Sequence, residues 1–276
     1  MIDSSPLLPG VRPVPLHYRE GGDGPPLVIL HGGWGYDFYP HEDAIANLRC
    51  RFIIPDRSGY GLSPHVVDLP PRFHAAAAVE TERLLDLLGI ERCTLWGHSD
   101  GAVIATLLAL RSPDRYDGLI VEAIHLDRKK PGSREFFLQM EHDPDSFGER
   151  VASRLEAGLG ADHWRTIIRA GGRAWLEIAA TPDEDLYEHR LHELRVPLLV
   201  LHGADDPRTE PRELERIQRE IPTARIELMA GAGHSPHSER GSAARTTAFV
   251  AEFLASPPVL ARREQRPAAS RTGAEG

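Results

Sequence analysis

Thr94-Leu95-Trp96-Gly97-His98-Ser99-Asp100-Gly101-Ala102 decides how this chain is read. Its centre, Gly97 to Gly101, is a Gly-x-Ser-x-Gly run, which many chains contain by chance. The flanks give it meaning. Thr94-Leu95-Trp96 is a short, apolar, strand-prone approach, and Ala102 to Leu110 is an apolar, mostly helix-prone exit. A strand that turns through glycines into a helix holds the intervening serine on a sharp bend. Its hydroxyl is exposed there, with the helix N-terminus beneath it. A serine so placed becomes a nucleophile once a base is supplied.

Working outward, apolar runs predict strands at 15–18, 27–30, 51–54, 94–96, 118–121, 198–201 and 225–228. Leu27–Leu30 and Leu198–Leu201 are apolar throughout, as in strands covered by helices on both faces. Helical patterns lie between them, near 72–89, 99–111, 209–220 and 240–254. This alternation predicts an α/β fold with a doubly wound, mostly parallel sheet. One interval breaks it. From Ile124 to Arg195 there is no convincing strand. Phe136, Phe137 and Met140, then Trp164, Ile167 and Ile168, then Trp175 and Ile178, recur at helical spacing. The expected organisation is therefore a core of residues 1–123 and 196–255, with a helical cap over 124–195. The cap should pack on the carboxyl edge of the sheet, where such folds bind ligands. From Ser256 onward the chain is rich in Pro, Arg and Gly, and a disordered tail over 256–276 is expected.

Composition narrows the class. The chain has 276 residues, 41% hydrophobic and 26% charged, enough to bury a core without disulfides or metals. A net charge of -9 gives no support to a nucleic-acid partner. Lys129 and Lys130 are the only lysines. Cys50 and Cys93 are the only cysteines, too few for a disulfide framework and not at zinc-ligand spacing, so both are expected as buried thiols. Met1 to Pro6 lacks the charge and apolar run of a leader, and no apolar run is long enough to span a bilayer. A cytoplasmic protein with no membrane partner is expected.

A serine nucleophile needs a base, and the base needs an acid to orient it. Of fourteen histidines, His234 is best placed, in the Gly-rich loop Gly231-Ala232-Gly233-His234 after the strand at 225–228; His237 is the spare. The acid should hang from another strand end. His202-Gly203-Ala204-Asp205-Asp206-Pro207 offers Asp205 and Asp206, and Pro207 biases the backbone of Asp206 toward an extended form. An oxyanion hole needs two backbone N–H groups. One is expected from Asp100, the other from Gly33 in His31-Gly32-Gly33-Trp34-Gly35, with Trp34 as the alternative. Trp34 and His98 are pocket candidates, and His31 a structural hydrogen-bonder. The Asp100 carboxylate either stabilises a helix end or selects a cationic substrate group. Glu141 and Asp143 are acids of the cap that could bind an amine, although a solvated helix face accounts for both.

These motifs together resemble the α/β-hydrolase fold superfamily over about residues 14–255. The resemblance rests on His31-Gly32-Gly33, on Pro55-Asp56-Arg57-Ser58-Gly59-Tyr60-Gly61-Leu62-Ser63, on the Ser99 bend, on Gly203-Ala204-Asp205-Asp206 and on Gly233-His234, in the family's order. Family members usually carry the acid three residues after that glycine, which selects Asp206. The Gly-x-Ser-Asp-Gly variant is most similar to bacterial, valacyclovirase-like esterases. Trp34 stands where proline iminopeptidase-like members have proline. Ser99 stands where dehalogenases and epoxide hydrolases have Asp, and Ala102 replaces a common glycine. The resemblance implies a hydrolase of small to medium carboxylic esters, acting through Ser99, His234 and Asp206 without metal or organic cofactor. Carbon–carbon bond hydrolysis by the same triad, and a non-catalytic ligand-binding protein, are the alternatives.

Overall fold

The computed structural model describes residues 16–183 and 185–265. The core elements are β1 (Tyr18–Gly21), β2 (Pro26–Leu30), α1 (Glu42–Asn47), β3 (Arg51–Pro55), α2 (Phe73–Leu87), β4 (Cys93–His98), α3 (Asp100–Arg111) and β5 (Tyr116–Glu122). Three helices follow, α4 (Arg134–His142), α5 (Glu149–Leu159) and α6 (Trp164–Ala179). The core then resumes with β6 (Leu198–Gly203), α7 (Pro211–Glu220), β7 (Arg225–Met229), α8 (Ala243–Leu254) and α9 (Pro257–Glu264).

The seven strands form one sheet in the order β1-β3-β2-β4-β5-β6-β7. Only β1 is antiparallel to its neighbour. Every residue of β4, β5 and β6 is buried, as expected of central strands with helices on both faces. The register pairs Leu30 with Gly97, His98 with Glu122, and Gly203 with Met229. The carboxyl ends of β2, β4, β5, β6 and β7 therefore reach one edge, and the loops leaving them converge there.

The helix after Ser99 can start only because glycines remove two side chains. A Cβ on Gly101 would overlap the Leu30 carbonyl oxygen, and one on Gly97 would overlap the Gly101 carbonyl. Both obstacles are backbone, which cannot swing aside. Gly101→Ala is therefore expected to cost about 2–3 kcal/mol by overpacking. A urea midpoint equal to that of the wild type would refute this.

The first strand begins at Tyr18 and runs to Gly21, later than the predicted 15–18, and Pro15 lies outside the described residues. It is an edge strand whose charged side chains pair outward, Arg19 with Asp37 and Glu20 with Arg51, so apolarity does not mark it. Helix α1 escapes the periodicity because it buries only Ala44, whereas α5 falls within the helical segment expected over 124–195. The tail expected to be disordered from Ser256 instead forms α9. Pro257 fits its first turn, Val259 is fully buried, and Arg262 donates to the carbonyls of Tyr116 and Pro113. Residues 266–276 lie outside the described residues. Both cysteines are buried and free. No described helix is long and apolar enough to cross a membrane.

Between β5 and β6 the described residues hold no strand beyond the single antiparallel bridge Asp127–Asp185. Helices α4 and α6 pack closely, and Phe136, Phe137 and Met140 of the first and Trp175 of the second border a cavity shared with the strand ends.

Candidate active site

The cavity floor is the bend at Ser99. Its backbone has φ +53°, a conformation that costs energy for a residue with a Cβ and that clusters at functional positions. The bend is held by Ser99 N–H donating to the Glu122 carbonyl (2.9 Å). Ser99 Oγ lies 3.1 Å from His234 Nε2, and His234 Nδ1 lies 2.9 and 3.0 Å from the two oxygens of Asp206. With Nδ1–H donating to the carboxylate, Nε2 is left as an acceptor facing the serine hydroxyl.

The Asp206 carboxylate is further fixed by Arg208 N–H (2.9 Å) and Thr209 Oγ1 (3.3 Å). Burial alone would raise its pKa. The hydrogen bond and charge of His234 outweigh that and hold it below the ordinary carboxylate range. Asp205 is exposed and carries only a backbone turn. The structure thus brings Ser99, His234 and Asp206 together from three strand ends. His237 lies elsewhere, against Glu122 (2.8 Å) and the Tyr39 carbonyl (2.9 Å).

Gly33, Trp34 and Asp100 line the same cavity. Among the described residues none of their backbone N–H groups donates a hydrogen bond. His98 also lines it. Its Nε2 donates to the His234 carbonyl (3.0 Å) and meets Ser235 Oγ (3.0 Å), which ties the histidine loop to the serine bend. His31 is structural: its Nδ1 donates to the Gly32 carbonyl (2.8 Å), and its Nε2 accepts from Arg57 N–H (3.2 Å). Glu141 pairs with Arg173 (3.5 Å), and neither it nor Asp143 borders the cavity.

Asp100 does something that neither sequence reading of its carboxylate foresaw. The carboxylate is buried and turned sideways. Oδ1 accepts from His74 Nε2 (3.1 Å) and from Trp175 Nε1 of α6 (3.0 Å), and Oδ2 faces Arg57 (3.4 Å). Burial opposes its ionisation, but His74 and Arg57 more than compensate and lower its pKa. Its charge is thus already matched. His125 was missed altogether. It is buried beside Ser99, with Nε2 3.5 Å from Ser99 Oγ and Nδ1 without a partner. Its one sequence signal is its place just past the end of β5.

His41, Glu122 and His237 bring three metal-ligand atoms within 4.8 Å of one another. The His41 and His237 rings stack at 3.7 Å and 14°, so their lone pairs lie in near-parallel planes and do not converge. Glu122 already accepts from His237 and from Trp96 Nε1 (3.3 Å). With Glu122 and His237 already hydrogen-bonded and His41 only stacked, both its nitrogens without a partner, the set fits a packing cluster better than an ion.

The buried histidines set an acid limit on stability. Burial, followed by the Arg57 charge, pushes His31 down to about 3. Burial also holds His41, His98 and His125 well below the usual histidine range. Because these groups are neutral when folded, the unfolded chain binds more protons below about pH 6.5, and stability falls as the pH drops from there toward their folded values. His31 alone is expected to cost about 2 kcal/mol between pH 7 and pH 5. The carboxylates of Asp100 and Asp206, with lowered pKa values, add their own loss only below about pH 4. Urea midpoints at the two pH values check this, and a flat profile would contradict it.

A mostly parallel sheet with a strained serine bend, facing a histidine and an acid from later strand ends, defines a hydrolase of the α/β type. The chain belongs to the alpha/beta hydrolase family, whose pattern matches residues 27–248. It is 29% identical to a 2-hydroxy-6-oxononadienedioate/2-hydroxy-6-oxononatrienedioate hydrolase of Burkholderia vietnamiensis, over 87% of this chain and 90% of that protein. It is 30% identical to an sn-1-specific diacylglycerol lipase of Mus musculus, over 83% of this chain and 82% of the lipase. Among solved structures it resembles a thermophilic esterase from Thermogutta terrifontis, with TM-score 0.67, 23% identity, and 87% and 93% coverage. That last likeness speaks to the fold alone.

Proposed function

We propose that this chain hydrolyses carboxylic esters of small to medium substrates through an acyl-enzyme on Ser99. One observation carries the reading: the unbroken hydrogen-bonded line Ser99–His234–Asp206 opening into an aromatic cavity. In the proposed cycle His234 Nε2 takes the hydroxyl proton as Ser99 Oγ bonds to the ester carbonyl carbon. The oxyanion is held by the N–H groups of Asp100 and of Gly33, with Trp34 as the alternative donor. His234 returns the proton to the departing alkoxide as the carbon–oxygen bond breaks. Water then gives a proton to His234 and attacks the acyl carbon, which releases the acid and restores Ser99. Asp206 keeps the imidazole in the required tautomer throughout. Helices α4, α5 and α6 act as the cap, and Trp34, His98, Phe136 and Trp175 shape the pocket.

A second reading has its own support. Two relatives, at 29% and 28% identity, are named as hydrolases of oxononadienedioates and oxononatrienedioates, which suggests cleavage of a carbon–carbon bond by the same residues. A panel of p-nitrophenyl esters, a dienoate substrate with product analysis, and a fluorophosphonate probe separate the possibilities. Ester turnover with a probe adduct on Ser99 is the expected result. Dienoate cleavage without ester turnover would favour the second reading, and folded protein without an adduct would overturn both.

A further inference from the structure

Arg208 is the charged group that the proposed cycle leaves unused. Its backbone N–H is bound to Asp206 Oδ1 (2.9 Å), so its position follows that of the acid. Its side chain borders the cavity beside Trp34, Tyr39 and Phe136. The guanidinium lies 3.9 Å from the centroid of the Phe136 ring, which itself stacks on Trp34 at 5.6 Å. Phe136, braced by Trp34, thus holds the cation in a defined place.

No carboxylate comes within ion-pair distance of this guanidinium among the described residues, and it donates no side-chain hydrogen bond to them. The two acids nearest the chemistry are otherwise engaged. Asp100 is matched by Arg57, and both oxygens of Asp206 accept from His234, Arg208 N–H and Thr209. The guanidinium therefore stands in largely aromatic and apolar walls with no direct ion pair, and the Asp206 carboxylate acts on it only from beyond contact distance. A guanidinium offers parallel N–H donors in the spacing of a carboxylate.

We propose that Arg208 binds a carboxylate carried by the substrate, so that the preferred substrates are esters or acyl compounds bearing a second, anionic carboxyl group. This rests on the hydrolase reading of the Ser99 site. It adds a charge requirement that the triad does not impose.

The test compares kcat/KM for p-nitrophenyl half-esters of succinic, glutaric and adipic acids with that for neutral p-nitrophenyl esters of matched length. Wild type is expected to favour the half-ester at one or more lengths, and Arg208→Met to lower the half-ester to neutral-ester ratio by about 10–100-fold, the worth of a hydrogen bond to a charged group. A ratio that is the same in variant and wild type overturns the proposal while leaving ester hydrolysis intact. If no ester is turned over, the hydrolase reading fails on its own, and binding decides the role of Arg208. Calorimetry should then show wild type binding benzoate more tightly than benzamide, a preference lost in Arg208→Met. Equal binding of the two by wild type overturns the proposal and does not depend on how the variant folds.

Discussion

Ser99→Ala is expected to lower kcat/KM for p-nitrophenyl butyrate by about 10⁴-fold or more, with loss of the fluorophosphonate adduct. Such a loss is large because the three residues act as a unit. Without Oγ there is no atom for His234 to activate, and Asp206 then orients a base with nothing to deprotonate. Removing His234 should cost a similar factor, and the double variant little more than either alone. The change deletes one oxygen and keeps a Cβ on the strained bend, so the fold should persist. A urea midpoint close to wild type identifies the loss as chemical. A variant that keeps most of its ester turnover would sink the assignment of Ser99.

Asp100→Ala is expected to destabilise the fold by about 3–5 kcal/mol. The side chains of Arg57 and Asp100 are only 7% and 6% exposed. Deleting the carboxylate leaves a buried guanidinium without a counter-charge, and Arg57 already has Nε and Nη1 without partners. His74 Nε2 and Trp175 Nε1 lose their acceptor at the same time. Asp100→Asn keeps one acceptor and should cost less. Pairing Asp100→Leu with Arg57→Met removes both charges, and should recover part of the loss if the ion pair is its source. Urea unfolding of the four proteins reads this directly. Equal midpoints for wild type and Asp100→Ala would show that the network contributes nothing.

The sequence read most clearly where the candidate triad hangs from strand ends. Ser99, Asp206 and His234 each follow a strand that is marked by its own apolar run, and a parallel sheet brings such ends together whatever lies between them. The Gly33 turn is legible for the same reason. What escaped depends on approach through space. Arg57 sits in a recognisable loop, but nothing near it in the chain announces Asp100 as its partner. Trp175 reads as an ordinary core aromatic, yet its indole N–H reaches across to that same acid. His125 and Arg208 follow strands β5 and β6 with no motif of their own. The edge strand β1 was shifted and the helix α9 missed because apolarity marks neither: outward ion pairs hold one, and Val259 with the reach of Arg262 to the Tyr116 and Pro113 carbonyls holds the other.

Asp127 and Asp185 face each other as one antiparallel bridge. Because β5 and β6 are neighbours, the chain leaves the sheet and rejoins it on adjacent strands, and the bridge draws together the two ends of the segment between them. Exchange of that segment for another of different length would not alter the separation of the two ends that the core must join. That segment and the strand ends beneath it can therefore change on separate evolutionary schedules, held in step by contacts such as Trp175 with Asp100, His163 with the Gly59 carbonyl and Arg173 with Asp68.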